Sequence, residues 1–220
     1  AGKILRTTDG GITWTVQNSG VTATLYDIDF ANEQLGIVIG TNGQVLRTTD
    51  GGTTWSNIIS GTTQTLRELQ FVDVLNAWAV GGTLGVNATI IHSTDGGLTW
   101  VPQTPPVGVN SYLRAVSFIN SQYGWIAGDG RTILKTTDGG TIWTKQNPPA
   151  DIGLTLRGIA FTDISLGWLV DYDGRIFSTS DGGVNWSLQF KHLGWRANLL
   201  NIKTHNHQRI MVSGVYGNLY

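Results

Sequence analysis

The chain has 220 residues, 40% of them hydrophobic and only 13% charged, with a formal net charge of −1. It can bury a sizeable core, but a charge so close to zero gives no electrostatic basis for binding nucleic acid or an anionic membrane surface. No apolar run is long enough for a membrane-spanning helix, and the absence of cysteine suits both an oxidising compartment and a repeat protein that needs no disulfide.

From the N-terminus, Gly2-Lys3-Ile4-Leu5 leads into an octapeptide, Thr7 to Trp14, of the form Thr/Ser-Thr/Ser-Asp-Gly-Gly-x-x-Trp. It returns at Thr48 to Trp55, Ser93 to Trp100, Thr136 to Trp143 and Thr179 to Trp186. The steps between equivalent aspartates are roughly 43 residues, room for four short strands and their turns. Helical repeats would place apolar residues at i, i+3, i+4 and i+7. These blocks show period-two alternation instead, rich in Ile, Val, Phe, Trp and Thr and punctuated by Gly, Asn and Asp.

Each block opens on an inner run: Leu25 to Phe30, Leu66 to Phe71, Leu113 to Phe118, Leu156 to Phe161 and, more loosely, Leu199 to Thr204. A second run follows, Gly36 to Gly40, Ala77 to Gly81, Gly124 to Gly128, Gly167 to Asp171 and Arg209 to Gly214. A third enters the octapeptide and a fourth leaves it at the Trp. Four antiparallel strands make a blade, and blades with two apolar faces must pack on one another. The expected fold is an all-β propeller of five repeat units in one domain, 1–220, with blades at approximately 21–60, 61–108, 109–151, 152–195 and 196–220 plus 1–20. The last pairing would close a five-bladed ring through a shared terminal blade, Gly217 to Tyr220 matching the phase of Gly43 to Leu46. The alternative is a segment of a larger, seven-bladed ring.

The octapeptide has a physical reading of its own. Its Asp can accept hydrogen bonds from backbone N–H groups two and three residues on, the paired glycines supply positive φ, and the first hydroxyl can bond across the hairpin. The Trp covers the turn, its indole N–H free to reach a carbonyl. Asp9, Trp14, Asp50, Trp55, Asp95, Trp100, Asp138, Trp143, Asp181 and Trp186 are therefore expected to be structural. No metal or cofactor site is expected: there is no cysteine, and His205 and His207 have no third phased ligand.

With Ser/Thr-x-Asp-x-Gly-x-x-Trp satisfied in all five copies, the chain resembles the Asp-box repeats of β-propellers. Three families share the repeat: sialidases, sortilin-like receptors and the photosystem II stability/assembly factors. The sialidase pattern needs a Phe/Tyr-Arg-Ile-Pro segment and a Tyr nucleophile with a Glu partner; the segment is missing and the only glutamates are Glu33 and Glu68. The third block, Leu113-Arg114-Ala115-Val116-Ser117-Phe118, Gly124-Trp125-Ile126-Ala127-Gly128 and Ile133 to Gly140, is similar to the assembly-factor repeat nearly in full. That resemblance covers essentially the whole chain. It implies a non-enzymatic, exported protein (periplasmic, thylakoid-lumenal or extracellular) that binds another protein, such as a membrane-complex subunit or acidic peptide segment. A sialidase-like carbohydrate-binding or hydrolytic propeller and a secreted bacterial adhesion module are the alternatives.

Arg67, Arg114 and Arg157 open the inner run at one phase, where Tyr26 and Leu200 stand in the other blades. Planar guanidiniums suit carboxylates, and in the resembled family arginines on the propeller face are implicated in partner contact. By strand parity their stems would instead lie along the inter-blade core and pair with a neighbouring turn. Trp195 and Arg196, outside both Trp series, complete the expected contact set. Trp78, Trp125 and Trp168 read as inter-blade filler.

Overall fold

The structure, a computed structural model, describes residues 2–83, 85–191, 198–206 and 209–215. Two compact units are present, Ala1–Gly81 with Thr89–Gln103, and Gly82–Ala88 with Thr104–Tyr220.

The first unit starts with a hairpin of β1 (Ile4–Arg6) and β2 (Thr15–Gln17). One blade follows, of β3 (Leu25–Phe30), β4 (Gly36–Gly40), β5 (Val45–Thr48) and β6 (Ser56–Ile58), then a second, of β7 (Thr65–Phe71), β8 (Ala77–Thr83), β9 (Asn87–Ser93) and β10 (Val101–Gln103). The second unit holds a blade of β11 (Leu113–Phe118), β12 (Gly124–Gly128), β13 (Thr132–Thr136) and β14 (Thr144–Lys145), and another of β15 (Leu156–Phe161), β16 (Gly167–Asp171), β17 (Arg175–Thr179) and β18 (Ser187–Lys191). A two-stranded sheet of β19 (Leu199–Asn206) and β20 (Arg209–Gly214) ends it. Each four-stranded sheet is an antiparallel meander, as the repeat predicts. The strand expected from Gly217 to Tyr220, on which the shared closing blade depends, lies outside the described residues.

Sequence explains the gradient across a blade. The second strands β4 and β12 are buried at every position and read as unbroken apolar runs, because they are paired on both edges and covered on both faces. The outer strands β6, β10 and β14 are two or three residues long and largely exposed, the short polar edge that discourages further strand addition.

Blades pack through phased side chains. In the first unit Ile37, Ile39 and Val45 meet Leu66, Leu69, Phe71 and Ile91 in one core. In the second, Trp125, Ala127 and Ile133 meet Leu156, Ile159 and Phe161, with Trp125 stacked on Phe161 at 3.7 Å between ring centroids. The filler role expected of Trp125 follows from this contact. On β3 the same phase is open: Ile28 is 47% and Phe30 39% exposed, where their counterparts Leu69 and Phe71 are 3% and 9%.

A polar device secures the inner strands. Asp27 and Asp29 each accept the N–H of the next residue on their own strand, Ile28 and Phe30, through Oδ1 at 2.9 Å. Through Oδ2 they accept the N–H groups of Leu69 at 2.8 Å and Phe71 at 2.7 Å on the neighbouring blade. In the second unit the Ser117 hydroxyl accepts the Phe161 N–H at 3.0 Å. The innermost strand has one unpaired edge, and these side chains satisfy donors that a sheet edge otherwise exposes.

Candidate functional site

The octapeptide builds one network five times. Its first hydroxyl donates to the Asp, as Thr48 does to Asp50 Oδ1 at 2.7 Å, and accepts the N–H of the second Gly, Gly52, at 2.9 Å. The Asp then accepts the N–H four residues on: Thr13, Thr54, Thr99, Ile142 and Asn185, each through Oδ1 at 2.8 to 2.9 Å. The expectation of bonds two and three residues on is met in part. The two glycines, at φ +67 and +82 in Gly51 and Gly52, carry the chain round so that the leading bond falls four residues on. The N–H three residues on also bonds at Leu98, at 3.0 Å, and those of Ile12, Thr53, Thr141 and Val184 add a weaker contribution to their carboxylates. The first hydroxyl also stays within its own turn instead of crossing the hairpin.

Position seven, which carries no weight in the sequence pattern, completes the network. The hydroxyls of Thr13, Thr54 and Thr99 donate to the second carboxylate oxygen at 2.6 Å, and the Asn185 amide does so at 2.8 Å. The Asp9 and Asp50 carboxyls are held down at about 2, chiefly by the Thr13 and Thr54 hydroxyls and N–H groups. Asp181 is also held at about 2, by the Asn185 N–H and then its amide. The Ile142 N–H leads in lowering Asp138. At Asp95 burial opposes ionisation, but Thr99 and Ser93 outweigh it and the carboxyl is lowered. Each of these carboxylates is engaged by donors of its own turn.

The box Trp lies edge-on to the Phe that ends its own blade's inner strand, as in Phe30 with Trp55, Phe118 with Trp143 and Phe161 with Trp186, at 5.9 to 6.3 Å. Its indole N–H reaches the second Gly carbonyl in Trp14 and Trp186, at 3.2 and 3.1 Å. In Trp55 and Trp100 the indole nitrogen is buried with no acceptor among the described residues. The same Phe explains the Gly that begins the second strand: a Cβ on Gly36 or Gly167 would lie 2.5 Å from the ring.

The box also docks on the preceding blade. Arg47 Nε donates to Gly96 O at 2.8 Å, and Lys135 Nζ and Trp125 Nε1 both donate to Gly182 O at 3.0 Å. Burial pushes the Lys135 ammonium down, against the favourable charge of Asp181. Arg47 and Lys135 stand immediately before their own boxes, where Arg6 and His92 stand in two others; the sequence reading passed over this series. His92 stacks on Trp78 at 3.9 Å, and burial lowers it to about 4 despite the nearby charge of Asp73.

The arginine phase takes a form that strand parity does not predict. Tyr26, Arg114, Arg157 and Leu200 are each the extra residue of a β-bulge at the start of the inner strand, and a bulge re-aims its side chain. Arg114 consequently turns to Asp129, in the turn after β12, with Nε to Oδ1 at 2.6 Å and Nη2 to Oδ2 at 2.8 Å. Its guanidinium also lies 4.8 Å from the centroid of the Tyr112 ring, and Arg157 lies 4.9 Å from that of Tyr172. Arg67 sits over Tyr26 at 4.5 Å, bringing two of the expected contact residues together in the first unit. Among the described residues Arg67 has no hydrogen bond or ion pair, and its guanidinium is held by stacking on Tyr26. Trp195, Arg196 and His207 lie outside the described residues.

Asp171 and Asp173, the unphased carboxylates of the second unit, are engaged. Asp171 is fully buried and accepts the N–H groups of Gly153, Asp173 and Arg175 at 2.8 to 3.0 Å, with Arg175 Nη1 at 3.0 Å. Asp173 pairs with the same guanidinium at 3.3 Å. Among the described residues no three His, Asp or Glu side chains gather as a metal site.

Blades whose third strand closes into this hairpin define the class, an Asp-box β-propeller. Residues 8–102 and 55–151 match the family described as Photosynthesis system II assembly factor YCF48. Those matches span more than half of the chain, and the chain belongs to that family. Among solved structures, YCF48 from Cyanidioschyzon merolae is 19% identical with a TM-score of 0.74, covering 96% of this chain and 74% of its own. A YCF48 bound to D1 peptide is 15% identical with a TM-score of 0.50, covering 88% and 91%. An ancestral GH74 enzyme is 13% identical with a TM-score of 0.81, but this chain spans only 32% of it. At these identities the structures share the fold alone. No curated protein matches the chain in sequence.

Proposed function

We propose that this chain is a non-enzymatic propeller that holds a segment of a partner protein, a subunit of a membrane complex, in the manner of a photosystem assembly factor. The observation that carries the reading is the family match, within which a YCF48 has been solved bound to D1 peptide. Arg67 and Tyr26 supply the leading contact: a guanidinium stacked on an aromatic ring, with its hydrogen-bonding edge uncommitted, suits a carboxylate of the partner. Arg157 is the corresponding residue of the second unit, and Trp195 and Arg196 extend the contact set. Arg114 is proposed chiefly as a positioning residue, because Asp129 already occupies its fork. Export to a periplasmic, lumenal or extracellular compartment accords with the same family.

The likeness to GH74 enzymes favours a glycoside-cleaving alternative. Cleavage would need two available carboxylates flanking a bond, and Asp171 and Asp173 are committed to backbone donors and Arg175. The test is capture of D1 segments by the purified chain, with a panel of chromogenic glycosides in parallel. Capture weakened by Arg67→Ala supports the proposal; glycoside turnover overturns it.

A further inference from the structure

One face of the first unit is built like an interface between blades and stands open. Leu5 on β1 is 55% exposed, whereas Leu46, Ile91, Leu134 and Phe177, at the same phase before their own boxes, are 0 to 1%. Ile28 on β3, at 47%, has counterparts Leu69, Val116, Ile159 and Ile202 at 1 to 4%. Trp14 is 59% exposed, Trp100 and Trp143 only 6% and 4%. The cause lies in the sheet. By phase β1 and β2 correspond to the third and fourth strands of a blade, and among the described residues they form a sheet of two, with no first and second strands beside them to cover β3.

This face has two levels. On the hairpin Ile4 turns inward to Val38 and Leu46, while its neighbour Leu5 and the cross-strand partner Val16 turn outward and are both exposed. Beside this ridge a groove of about 210 Å³ lies between β1 and β3, lined by Leu5, Leu25, Ile28 and Val38 together with Lys3 and Asp27. An apolar ridge therefore adjoins an apolar groove, and one cation and one carboxylate share the same surface. A patch that carries both halves of its own complement suits a two-fold contact, in which each copy offers the same surface. Its size agrees. Leu5, Trp14, Val16, Ile28 and Phe30, each roughly half exposed, offer on the order of 500 Å² of apolar surface per copy. A standard interface buries about 800 Å² per partner, about 60% of it apolar.

We propose that this face joins two copies of the chain as a two-fold dimer. The β1–β2 ridge of each copy lies over β3 of the other, with Leu5 and Val16 against Ile28 and Phe30 of the second copy and Lys3 directed at its Asp27. Asp27 accepts the N–H groups of Ile28 and Leu69 and has lone pairs left for an ammonium. The contact gives Leu5, Ile28 and Phe30 the burial that their counterparts have between blades. This inference goes beyond the proposed function and does not rest on it.

Sedimentation velocity of the purified chain at micromolar concentrations is the test. The wild type should sediment as a dimer, and Ile28→Asp, which puts a charge in the groove, should raise the dimer dissociation constant at least about tenfold while still unfolding cooperatively. Val101→Asp, at a comparably exposed apolar position on β10, should leave the dimer unchanged. A second measurement reads the arrangement itself. The chain has no cysteine, so Val16→Cys and Ile28→Cys each introduce a single thiol, and an equimolar mixture treated with diamide should form more disulfide-linked dimer than either variant alone. If Ile28→Asp fails to fold, this mixture decides. A monomeric wild type overturns the inference. So does a dimer that folded Ile28→Asp leaves intact, or a mixture that cross-links no more than its separate components.

Discussion

Gly97, the second glycine of the third box, stands directly against Ile37 of the preceding blade: a Cβ at Gly97 would overlap Cδ1 of Ile37 and lie 3.0 Å from its Cγ1. The residue also holds φ at +80, so two independent constraints require glycine there. One is local to the turn and the other belongs to the interface between blades.

Gly10 separates the two constraints. It has φ +71, but a Cβ there would meet nothing within 4 Å. Gly10→Ala should therefore cost only the left-handed strain, about 1 kcal/mol. Gly97→Ala adds displacement of Ile37 and should cost about 2–4 kcal/mol. Denaturant unfolding of both variants checks the difference; equal losses would mean that the blade contact contributes nothing.

Acid should act in two stages. His92 is lowered to about 4 in the fold, whereas an unfolded imidazole protonates near its ordinary value of about 6.5. The unfolded chain thus binds more protons between these values, and stability falls as pH drops from about 6.5 to about 4. The carboxylates of Asp9, Asp50 and Asp181 are shifted the same way, to about 2. Their contribution is complete above the ordinary carboxylate value and disappears as pH falls toward about 2. Thermal midpoints across this range should show both limbs, and His92→Phe should flatten only the upper one.

Arg114 and Arg67 should behave oppositely. Arg114→Ala leaves the buried Asp129 without its fork and should destabilise by about 2–4 kcal/mol, a loss partly relieved when Asp129→Ala is added. Arg67→Ala removes a stacked cation and should cost less than about 1 kcal/mol. Unfolding of the single and double variants measures this directly, and a neutral Arg114→Ala would show that the bidentate pair has no structural role.

Asp29→Ala uncovers the N–H of Phe71 at a blade interface and should cost about 1–3 kcal/mol. Amide exchange is the sharper readout: Phe71 should lose protection while the Ile37–Arg47 pairing inside the sheet keeps its own.

The blades, their strand order and the turns of the boxes were legible in the sequence because each depends on contacts within a few residues or on a repeating phase. Asp50 and Thr48 announce their turn locally. The partner of Arg114 was not legible, since one extra residue in the strand rotates the side chain out of the alternation on which parity rests. The bonds from Asp27 to Leu69 and from Asp29 to Phe71 span a whole repeat, and no local pattern marks an aspartate as the cover for another strand's edge. Thr54 was hidden for a different reason. Its position tolerates Ile142, which keeps the main-chain bond and loses only the side-chain one.

Titration calorimetry of overlapping D1 segments against the wild type and Arg67→Ala tests the central claim most directly. The account predicts a segment that binds the wild type and binds Arg67→Ala at least about tenfold more weakly, with the unfolding midpoint retained. A segment bound equally by both proteins would contradict it.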